Sequence, residues 1–472
     1  MRAPITDPSV IDGYLSDASN TRGHAEALVR PESTEEVAET MRHCQSRGIP
    51  LTITAARTST TAAPVPFGGW LLSTERLNAV RGIGLHDATA QAGVYLGEFQ
   101  AQIEETGRFF PPDPTSRHEC TLGAAIACNA SGARSFRYGP TRPWVQSIEV
   151  VTATGRVLTA DRNTPIPRAW PRPNWTRPTV KTAAGFEPAQ NLLDVFIGQE
   201  GSLGLITQAT VRLTDLPDEV LGIFAYFPSR DAAVRFVDAA RTAGRSHPEG
   251  AVSPRALEYL DHHCLSYVRE RVGHVPDGAT CALFCEQEVC IDADAHLTGW
   301  WELLGACAGE LADETVVTDT DAGTRRLHEL RHAVPAGINE RVVANGMPKV
   351  GTDLAVPDAH LSQILDLYEA CPLPHATFGH IGDNHLHCNV LPRTAEELEQ
   401  AKRWYVDVAH HAIQMGGTIS AEHGVGKLKT ELLAQMVGTE VLEQFQSLKR
   451  HLDPAWILGR GTVLRAPNAQ ID

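Results

Sequence analysis

Short apolar runs alternate with amphipathic stretches along most of this chain, and the polar gaps between them are short. Residues 33–36 (Ser-Thr-Glu-Glu) form a capping-box pattern, in which a Ser and a Glu side chain satisfy free amides at the start of a helix. We expect that helix to end at Gly48 and the apolar run 49–54 to form a strand. Residues 88–93 then predict a strand and residues 96–106 a helix. This alternation is typical of an α/β or α+β protein.

The pattern changes a little before the middle of the chain. Residues 222–390 alternate short apolar strands with helices such as 231–243 and 357–371, which indicates a separate α+β unit. A capped helix over 394–415 and a further helix over 431–451 follow. We therefore predict an α+β chain in three parts, namely 1–214, 215–410 and 411–472.

Segments rich in proline, glycine or other small residues interrupt the first half of the chain. Residues 161–180 carry several Pro and Trp between polar residues and predict an exposed excursion. The small-residue run 121–132 allows a close backbone approach to a flat or phosphorylated ligand, although a tightly packed helix contact explains it equally well. Residues 198–204 form a further Gly-rich loop that leads into the predicted strand 205–213.

Length and charge exclude several classes of function. At 472 residues the chain predicts two or three domains. A formal net charge of −16 argues against nucleic-acid or anionic-membrane partners, but a small acidic substrate is compatible with locally placed Arg. No apolar run reaches the ~18 residues of a membrane span, and the first residues lack the pattern of a signal peptide. Together with the scattered cysteines, these features predict a cytoplasmic protein.

The candidate chemistry lies in two short Gly-rich segments near the C-terminal end, residues 378–389 and 420–427. His380, His387 and Glu422 have the composition of a three-ligand metal set with open positions for a substrate, and they suit zinc, manganese or iron. The neighbouring imidazole in the second segment is a candidate proton acceptor, because the ordinary pKa of His lies near neutrality. Isolated histidines are more often structural or solvated than ligands, yet the Glu-His pair in the second segment favours a metal site.

Five segments occur in an order that matches one known family: 111–114, 121–132, 198–207, 379–389 and 420–426. With them the chain resembles the FAD-dependent 2-hydroxyacid dehydrogenases of the vanillyl-alcohol-oxidase/PCMH flavoprotein superfamily. The branch it resembles contains D-2-hydroxyglutarate dehydrogenase, D-lactate dehydrogenase and enzymes similar to glycolate oxidase. The resemblance covers roughly residues 25–465. It implies a PCMH-type FAD-binding domain of two α+β subdomains, an antiparallel α+β substrate (cap) domain, and a helical C-terminal segment that returns to the flavin.

The resemblance also implies roles for individual residues. His423 falls on the family's catalytic base, and Asn389 falls on an Asn that contacts the substrate. Arg331 falls where the family places an Arg that grips the substrate carboxylate, with an exposed helical Arg as the alternative. The family's divalent-metal ligands, usually assigned as zinc or manganese, fall on His380, His387 and Glu422. The residues implied to line the FAD site are Pro112, Asp113, Thr121, Gly123, Asn129, Ser131, Gly132, Glu200, Gly201, Gly204 and Ile206.

The implied reaction is oxidation of an α-hydroxy acid to the 2-oxo acid, with metal assistance and hydride transfer to flavin N5. The substrate class is that of D-lactate, D-2-hydroxyglutarate and glycolate. The electron acceptor stays open between an electron-transfer flavoprotein, a quinone, a cytochrome and oxygen, and a homodimer is compatible with the sequence. Two alternatives are a divergent flavin oxidoreductase of a biosynthetic pathway acting on a modified hydroxy or amino acid, and a non-catalytic scaffold that has lost FAD.

Three departures from the family pattern stand out. The pyrophosphate loop at 54–64 has Ala or Arg where the family has glycines, and each Cβ at a position that needs φ > 0 costs about 1 kcal/mol. Asn384-His385 stands where the family has Gly-Asn, which adds an imidazole to the pocket. Lys349 lies four residues before Asp353, whereas the glutarate-type branch has a spacing of two.

The loop at 54–64 nevertheless keeps polar residues that suit a phosphate. It also lacks the His that some relatives use for a covalent flavin bond, so we expect non-covalent FAD. The residues of this loop that we add to the predicted FAD site are Arg57, Thr58 and Ser59.

Overall fold

A computed structural model of the chain describes residues 1–290, 292–318 and 321–466. Two sets of elements follow one another along the chain. In the first set the strands are β1 (Ala27–Val29), β2 (Leu51–Thr54), β3 (Trp70–Ser73), β4 (Val80–Ile83), β5 (Asp87–Gln91), β6 (Arg108–Phe109), β7 (Val145–Val151), β8 (Val157–Asp161), β9 (Leu205–Arg212) and β10 (Thr214–Asp215). Its helices are α1 (Pro8–Ile11), α2 (Thr34–Arg47), α3 (Leu96–Glu104), α4 (Leu122–Cys128), α5 (Ser135–Tyr138) and α6 (Leu192–Phe196).

The second set begins at residue 220. Its strands are β11 (Val220–Phe227), β12 (Pro254–Leu260), β13 (Cys281–Glu288), β14 (Val316–Val317), β15 (Val350–Gly351), β16 (Leu354–Ala355), β17 (His375–His380) and β18 (His385–Val390). Its helices are α7 (Arg230–Ser246), α8 (His262–Val272), α9 (Ala293–Ala308), α10 (Asp321–Asn345), α11 (Leu361–Glu369), α12 (Ala395–Gln414) and α13 (Thr430–Leu452).

Helix α2 shows how the sequence pattern determines local structure. The Ser33 side chain accepts a hydrogen bond from the Glu36 amide at 3.3 Å and caps the first turn. The last turn gives way to Gly48, whose φ of 64° is left-handed and suits a residue without a Cβ. The predicted helix is therefore confirmed, as are the predicted helices that correspond to α3, α7, α12 and α13.

The first set of elements builds two main sheets. Strands β1 and β2 both pair with β3 in parallel, and a five-stranded antiparallel sheet has the order β4-β5-β9-β7-β8. Apolar side chains of β5, β7 and β9 are buried together with those of α3 and α4. Mixed helices and antiparallel strands confirm the predicted α+β class.

The second set builds one antiparallel sheet with the order β14-β11-β13-β12-β17-β18-β15, and β16 also pairs with β18. All the strands described after Asp215 belong to this sheet, whereas β10 pairs with β6 of the first set. The change of pattern read from the sequence thus coincides with a change of sheet. Helix α12 runs through residue 410, so the second predicted boundary falls inside a helix.

The segment between β8 and α6 agrees only in part with its prediction as an exposed excursion. Many of its residues are exposed, but its aromatic side chains pack against the protein. Residues 162–191 contain no described helix or strand. Trp170 is nevertheless buried, and its ring lies 5.3 Å from that of His451 on α13. Trp175 lies 5.9 Å from Phe445 on the same helix. These aromatic contacts hold the irregular segment against α13, because burial of large apolar rings stabilises the folded chain.

Neither a disulfide nor a helix suited to a membrane occurs among the residues that the structure describes. All ten cysteines are free. None of the helices within the described ranges is long and apolar enough to cross a bilayer.

Candidate functional site

The candidate site is built on the hairpin of β17 and β18. The antiparallel register pairs His380 at the end of β17 with His385 at the start of β18. Asn384 completes the turn with a left-handed φ of 51°. Because alternate residues of a strand share a face, His385 and His387 point to the same side of β18. Their ring centroids are 4.5 Å apart, and that of His380 is 5.4 Å from His385.

Glu422 comes from the second Gly-rich segment and meets this hairpin. Its Oε1 lies 3.4 Å from His380 Nε2 and 3.3 Å from His387 Nε2. One donor atom from each of His380, His385, His387 and Glu422 lies within 4.8 Å of the others. The structure therefore brings together the three ligands predicted from the sequence and adds His385 to them.

Outer hydrogen bonds orient two of the imidazoles toward Glu422. His380 Nδ1 donates to Glu258 Oε1 at 2.6 Å, and His387 Nδ1 donates to the Thr352 carbonyl at 2.8 Å. Metal-binding histidines usually donate their second ring N–H in this way, because the bond fixes the ring and makes the other nitrogen more basic. Burial lowers the pKa of His380, but Glu258 and Glu422 outweigh it and raise the pKa to about 10. The donor set, its burial and these outer bonds fit a divalent cation, which would displace that proton.

A lysine that the sequence reasoning missed also contacts Glu422. Lys181 Nζ lies 3.0 Å from Glu422 Oε2 and 3.8 Å from Asp383, and its side chain is buried. Burial would raise the pKa of Glu422, but the charges of Lys181 and the nearby imidazoles hold it well below its usual range. Lys181 lies just beyond the Pro-rich segment, and no sequence motif marks it. Only its position in the fold places it at the site.

Asp353 holds the second Gly-rich segment in place. Its carboxylate accepts hydrogen bonds from the amides of residues 421–423 at 3.1 to 3.2 Å and from the Ser420 hydroxyl at 2.7 Å. Lys429 Nζ lies 2.6 Å from Asp353 Oδ2. Burial opposes the charge, but the neighbouring His423, Lys429 and His385 keep the pKa of Asp353 well below its usual range. The carboxylate thus fixes the backbone that carries Glu422 and His423.

His423 lies at the open side of this cluster. Its side chain is 35 % exposed, whereas that of Glu422 is 7 % exposed. The ring stacks on His387 at 5.3 Å with 17° between the planes. Nδ1 lies 3.6 Å from Asp353 Oδ2, and Nε2 lies 3.8 Å from Glu422 Oε1. Burial lowers the pKa of His423 below its ordinary value, which favours the neutral, proton-accepting form.

Two further residues were predicted to contact the substrate. Asn389 is buried, and its Oδ1 accepts a hydrogen bond from Lys349 Nζ at 2.8 Å. The lysine that looked displaced in the sequence therefore reaches the predicted substrate-contacting residue. Arg331 belongs to α10, but its side chain lies outside the described part of the structure, so its role as a carboxylate clamp stays a prediction.

The loop at 54–64 offers backbone amides in place of cationic side chains. Arg57 and Ala62 adopt left-handed φ angles of 61° and 59°, so two positions of the loop carry the strain expected where glycine is missing. Among the described residues, the amides of 56–60 donate to no other group of the protein. Unpaired amides in a loop suit the oxygens of a pyrophosphate.

A cavity of about 430 Å³ opens beside this loop. Residues 55–57, Gly93, Tyr95 and Thr121 line it, together with carboxylates that suit hydroxyl donors such as those of a ribose. The free amides and this cavity fit FAD. Of the predicted FAD residues, Arg57 and Thr121 line the cavity. Those that do not line it are Thr58, Ser59, Pro112, Asp113, Gly123, Asn129, Ser131, Gly132, Glu200, Gly201, Gly204 and Ile206.

The small-residue run 121–132 serves close packing within the protein. Thr121 caps α4, with its side chain 3.4 Å from the Ala124 amide. A Cβ on Gly123 would collide with Ala92, and one on Gly132 would collide with the backbone of Asp113. The tight-packing interpretation therefore accounts for both glycines, while their contact with FAD stays a prediction.

Glu200 joins the loop at 198–204 to the second Gly-rich segment. Its carboxylate accepts hydrogen bonds from the amides of Val425 and Gly426, each at 2.8 Å, and burial raises its pKa to about 7. Lys427 Nζ reaches the Ala63 carbonyl at 2.8 Å, and Ser131 Oγ lies 3.4 Å from Glu422 Oε2. The proposed FAD loops and the His/Glu cluster thus meet in one place.

Comparisons with known proteins agree with this arrangement. Residues 220–463 match the family model described as FAD linked oxidases, C-terminal domain, and residues 25–161 match that described as FAD binding domain. The first match covers more than half of the chain. The chain belongs to the FAD-linked oxidase family. It is an FAD-dependent oxidoreductase, as the resemblance predicted.

Relatives of this FAD-linked oxidase include enzymes named for three hydroxy acids. The glycolate oxidase subunit GlcD of Bacillus subtilis is 27 % identical, covering 93 % of this chain and 88 % of its own. The D-lactate dehydrogenase of Anaerostipes hadrus is also 27 % identical (94 % and 90 % covered), and the D-2-hydroxyglutarate dehydrogenase of Xanthomonas citri pv. viticola is 28 % identical (98 % and 94 %).

Solved structures confirm the fold of this family member. p-Cresol methylhydroxylase with substrate bound has a TM-score of 0.72 at 14 % identity, covering 98 % of this chain and 94 % of its own. An alkyldihydroxyacetonephosphate synthase has a TM-score of 0.68 at 17 % identity, covering 97 % and 81 %. At such identities the likeness concerns the PCMH-type fold alone.

Proposed function

We propose that this FAD-linked oxidase oxidises a 2-hydroxy acid to the 2-oxo acid at the cluster of His380, His387 and Glu422. The names of its relatives support this substrate class. The observation that carries the proposal is that Glu422 Oε1 lies within 3.4 Å of both imidazole Nε2 atoms, directly beside the partly exposed His423.

Two bound groups complete this site. FAD would be held without a covalent bond, with the free amides of 56–60 at its phosphates. A divalent metal, zinc or manganese, would be held by His380, His387 and Glu422. When bound, the flavin accepts a hydride and the metal acts as a Lewis acid on the hydroxyl and carboxylate oxygens of the substrate.

The protein's own contribution is to hold the substrate and remove one proton. His423 takes the hydroxyl proton at Nε2, because Nδ1 faces Asp353 while Nε2 faces the cluster and solvent can reach the ring. As the α-hydrogen leaves with its electron pair, the C–O bond becomes a carbonyl, so one proton and one hydride balance the oxidation. Asn389 contacts the substrate, and Arg331 grips its carboxylate in this proposal.

Lys349 places a cation next to Asn389 and thereby affects which hydroxy acid the site would favour. A second carboxylate on the substrate would find a partner there, as in 2-hydroxyglutarate, whereas lactate and glycolate have no second carboxylate to offer it. Lys349 is exposed, so a carboxylate on an incoming substrate could reach its ammonium from solvent. We therefore place the D-2-hydroxyglutarate type first among the three substrates.

Anaerobic mixing tests the proposal directly. The flavin absorbance of the purified protein should bleach on addition of D-2-hydroxyglutarate, D-lactate or glycolate, and the 2-oxo acid should appear in equal amount. A flavin that none of the three reduces would favour the divergent oxidoreductase. A colourless protein that binds no added FAD would favour the non-catalytic scaffold.

The remaining parts of the proposal concern the domains, the electron acceptor, the oligomeric state and the location of the protein. The three domains 1–214, 215–410 and 411–472 stay predictions, and the second boundary falls within α12. Re-oxidation requires an external acceptor, and an electron-transfer flavoprotein, a quinone, a cytochrome and oxygen remain the candidates. A homodimer and a cytoplasmic location stay predictions.

A further inference from the structure

We infer that His385 is a fourth protein ligand of the metal, in addition to His380, His387 and Glu422. This inference rests on the proposed function, because it takes over the three ligands named there. It concerns a residue that departs from the family pattern, in which an Asn occupies this position. It makes the centre of this chain a site of three imidazoles and one carboxylate.

The first observation is that His385 is buried with one ring nitrogen unpaired. Its side chain is 0 % exposed, and its Nδ1 makes no hydrogen bond among the described residues, whereas Nε2 has the Asp353 carboxylate beside it. Leaving a buried polar atom unpaired costs about 1–3 kcal/mol. A bound cation removes that cost, because a neutral imidazole nitrogen presents one lone pair and binds metals well.

The second observation is the direction of the two ring nitrogens. His385 Nδ1 lies 3.8 Å from Glu422 Oε2, on the side of the cluster, and Nε2 lies 3.0 Å from Asp353 Oδ1. The two predicted ligands have the same arrangement, since each has one nitrogen toward Glu422 and the other toward an oxygen acceptor. All three imidazoles are therefore oriented as ligands with an oxygen behind them.

Lys181 contacts the same oxygen of Glu422 that His385 Nδ1 faces, and it leaves the other oxygen free for a cation. Its ammonium lies against Glu422 Oε2, while Oε1 faces the imidazoles of His380 and His387. A cation bound through Oε1 therefore does not need the oxygen that Lys181 occupies. The charge of Lys181 is shared with Asp383 at 3.8 Å, which reduces its repulsion of a cation at the cluster.

A fourth ligand changes which metal suits the reaction. Four protein donors saturate a tetrahedral zinc ion, whereas a six-coordinate ion keeps two positions for the hydroxyl and carboxylate oxygens of a substrate. The inference therefore favours manganese or iron over zinc as the ion of the active enzyme.

Metal binding to the FAD-loaded protein tests the inference without relying on turnover. X-ray absorption of the cobalt(II)-loaded protein should count three imidazole donors in the wild type and two in His385→Asn. Chelator competition with manganese(II) should show affinity at least about 10-fold weaker in His385→Asn, since even outer-shell changes cost about 10- to 100-fold. The control is His375→Asn. It alters a buried histidine on β17 whose Nδ1 lies 2.9 Å from the Leu373 carbonyl, and this variant should bind the metal as the wild type does.

Several outcomes separate this inference from the proposed function. Two imidazole donors in the wild type, or weaker affinity with an unchanged donor count, would overturn the inference and leave the three-ligand site intact. A wild type that binds none of the metals would overturn the metal part of the proposed function as well. If His385→Asn does not fold, the donor count of the wild type alone decides, because three imidazoles support the inference and two reject it.

Discussion

The His/Glu cluster and the loop at 54–64 are joined through residues 423–427, but they consist of different chemical groups. The cluster consists of buried side chains whose charges are paired, as Glu422 is with Lys181 and Asp353 is with Lys429. The loop consists of backbone amides, and its Arg57 guanidinium lies over the Tyr14 ring at 4.8 Å. The cluster should therefore respond to the loss of almost any single side chain, whereas the loop should respond mainly to changes in backbone freedom.

Changing Glu422→Gln should have the largest effect. The amide cannot replace the carboxylate as a metal ligand, and Lys181 loses its closest partner, so turnover should fall below detection and metal content should fall with it. Elemental analysis and flavin bleaching measure both losses. Glu399→Gln, an exposed change on α12, is the control and should alter neither. Unchanged metal affinity in Glu422→Gln, measured by chelator competition, would show that this residue is not a ligand.

Changing His423→Ala should lower turnover by about 10²- to 10⁴-fold, the usual contribution of a general base. FAD and metal should both be retained, because His423 is not among the four grouped donors. Stopped-flow measurement of flavin reduction is the readout, with the exposed His411→Ala as control. Unchanged reduction by the same substrate would remove His423 from the role of base.

Changing Asp353→Asn tests whether the cluster depends on its scaffold. The change leaves Lys429 buried beside a neutral group, so the free energy of unfolding should fall by about 3–5 kcal/mol. Urea unfolding measures it. The double variant Asp353→Asn with Lys429→Met should lose less than the sum of the two single changes, since it leaves no unpaired charge. Additive losses would mean that the two residues act independently.

Changing Ala62→Gly tests the loop and should have the smallest effect. A glycine relieves the left-handed φ of 59°, so the free energy of unfolding should change little or rise by up to about 1 kcal/mol. Ala56→Gly is the matched control, because Ala56 does not have a positive φ. In that variant the glycine only increases the conformational freedom of the unfolded chain. Thermal unfolding of both variants, each saturated with FAD, gives the comparison. A large loss in Ala62→Gly would show that its methyl group is needed for packing.

The sequence revealed the side-chain site better than the backbone site, and the reason is physical. His380, His387 and Glu422 could be predicted because metal chemistry demands particular side chains, and the structure brings them together. The amides of 56–60 could not, since every residue type carries the same N–H. His385 was recognised only as an added imidazole, although strand alternation places it on the same face as His387.

Lys181 and Asp353 were missed because their roles depend on long-range contacts. Lys181 precedes Glu422 by more than 200 residues and stands in no motif. Asp353 was noted only for its spacing from Lys349, yet its carboxylate fixes the backbone of residues 421–423. The α+β class and most helix limits followed from local capping and periodicity, which act within a few residues.

The docking of residues 420–427 onto the earlier parts of the chain determines when the centre can assemble during synthesis. Glu422 is the sole carboxylate of the four grouped donors, and its segment leaves the ribosome after the hairpin that carries the imidazoles. The nascent protein therefore carries the three imidazoles before the segment 420–427 has been synthesised and can place Glu422 beside them. In the proposed function, loading of the ion would follow this step. A chain truncated before residue 420 would lack Glu422 and would also lose buried core residues such as Phe445 and Leu458.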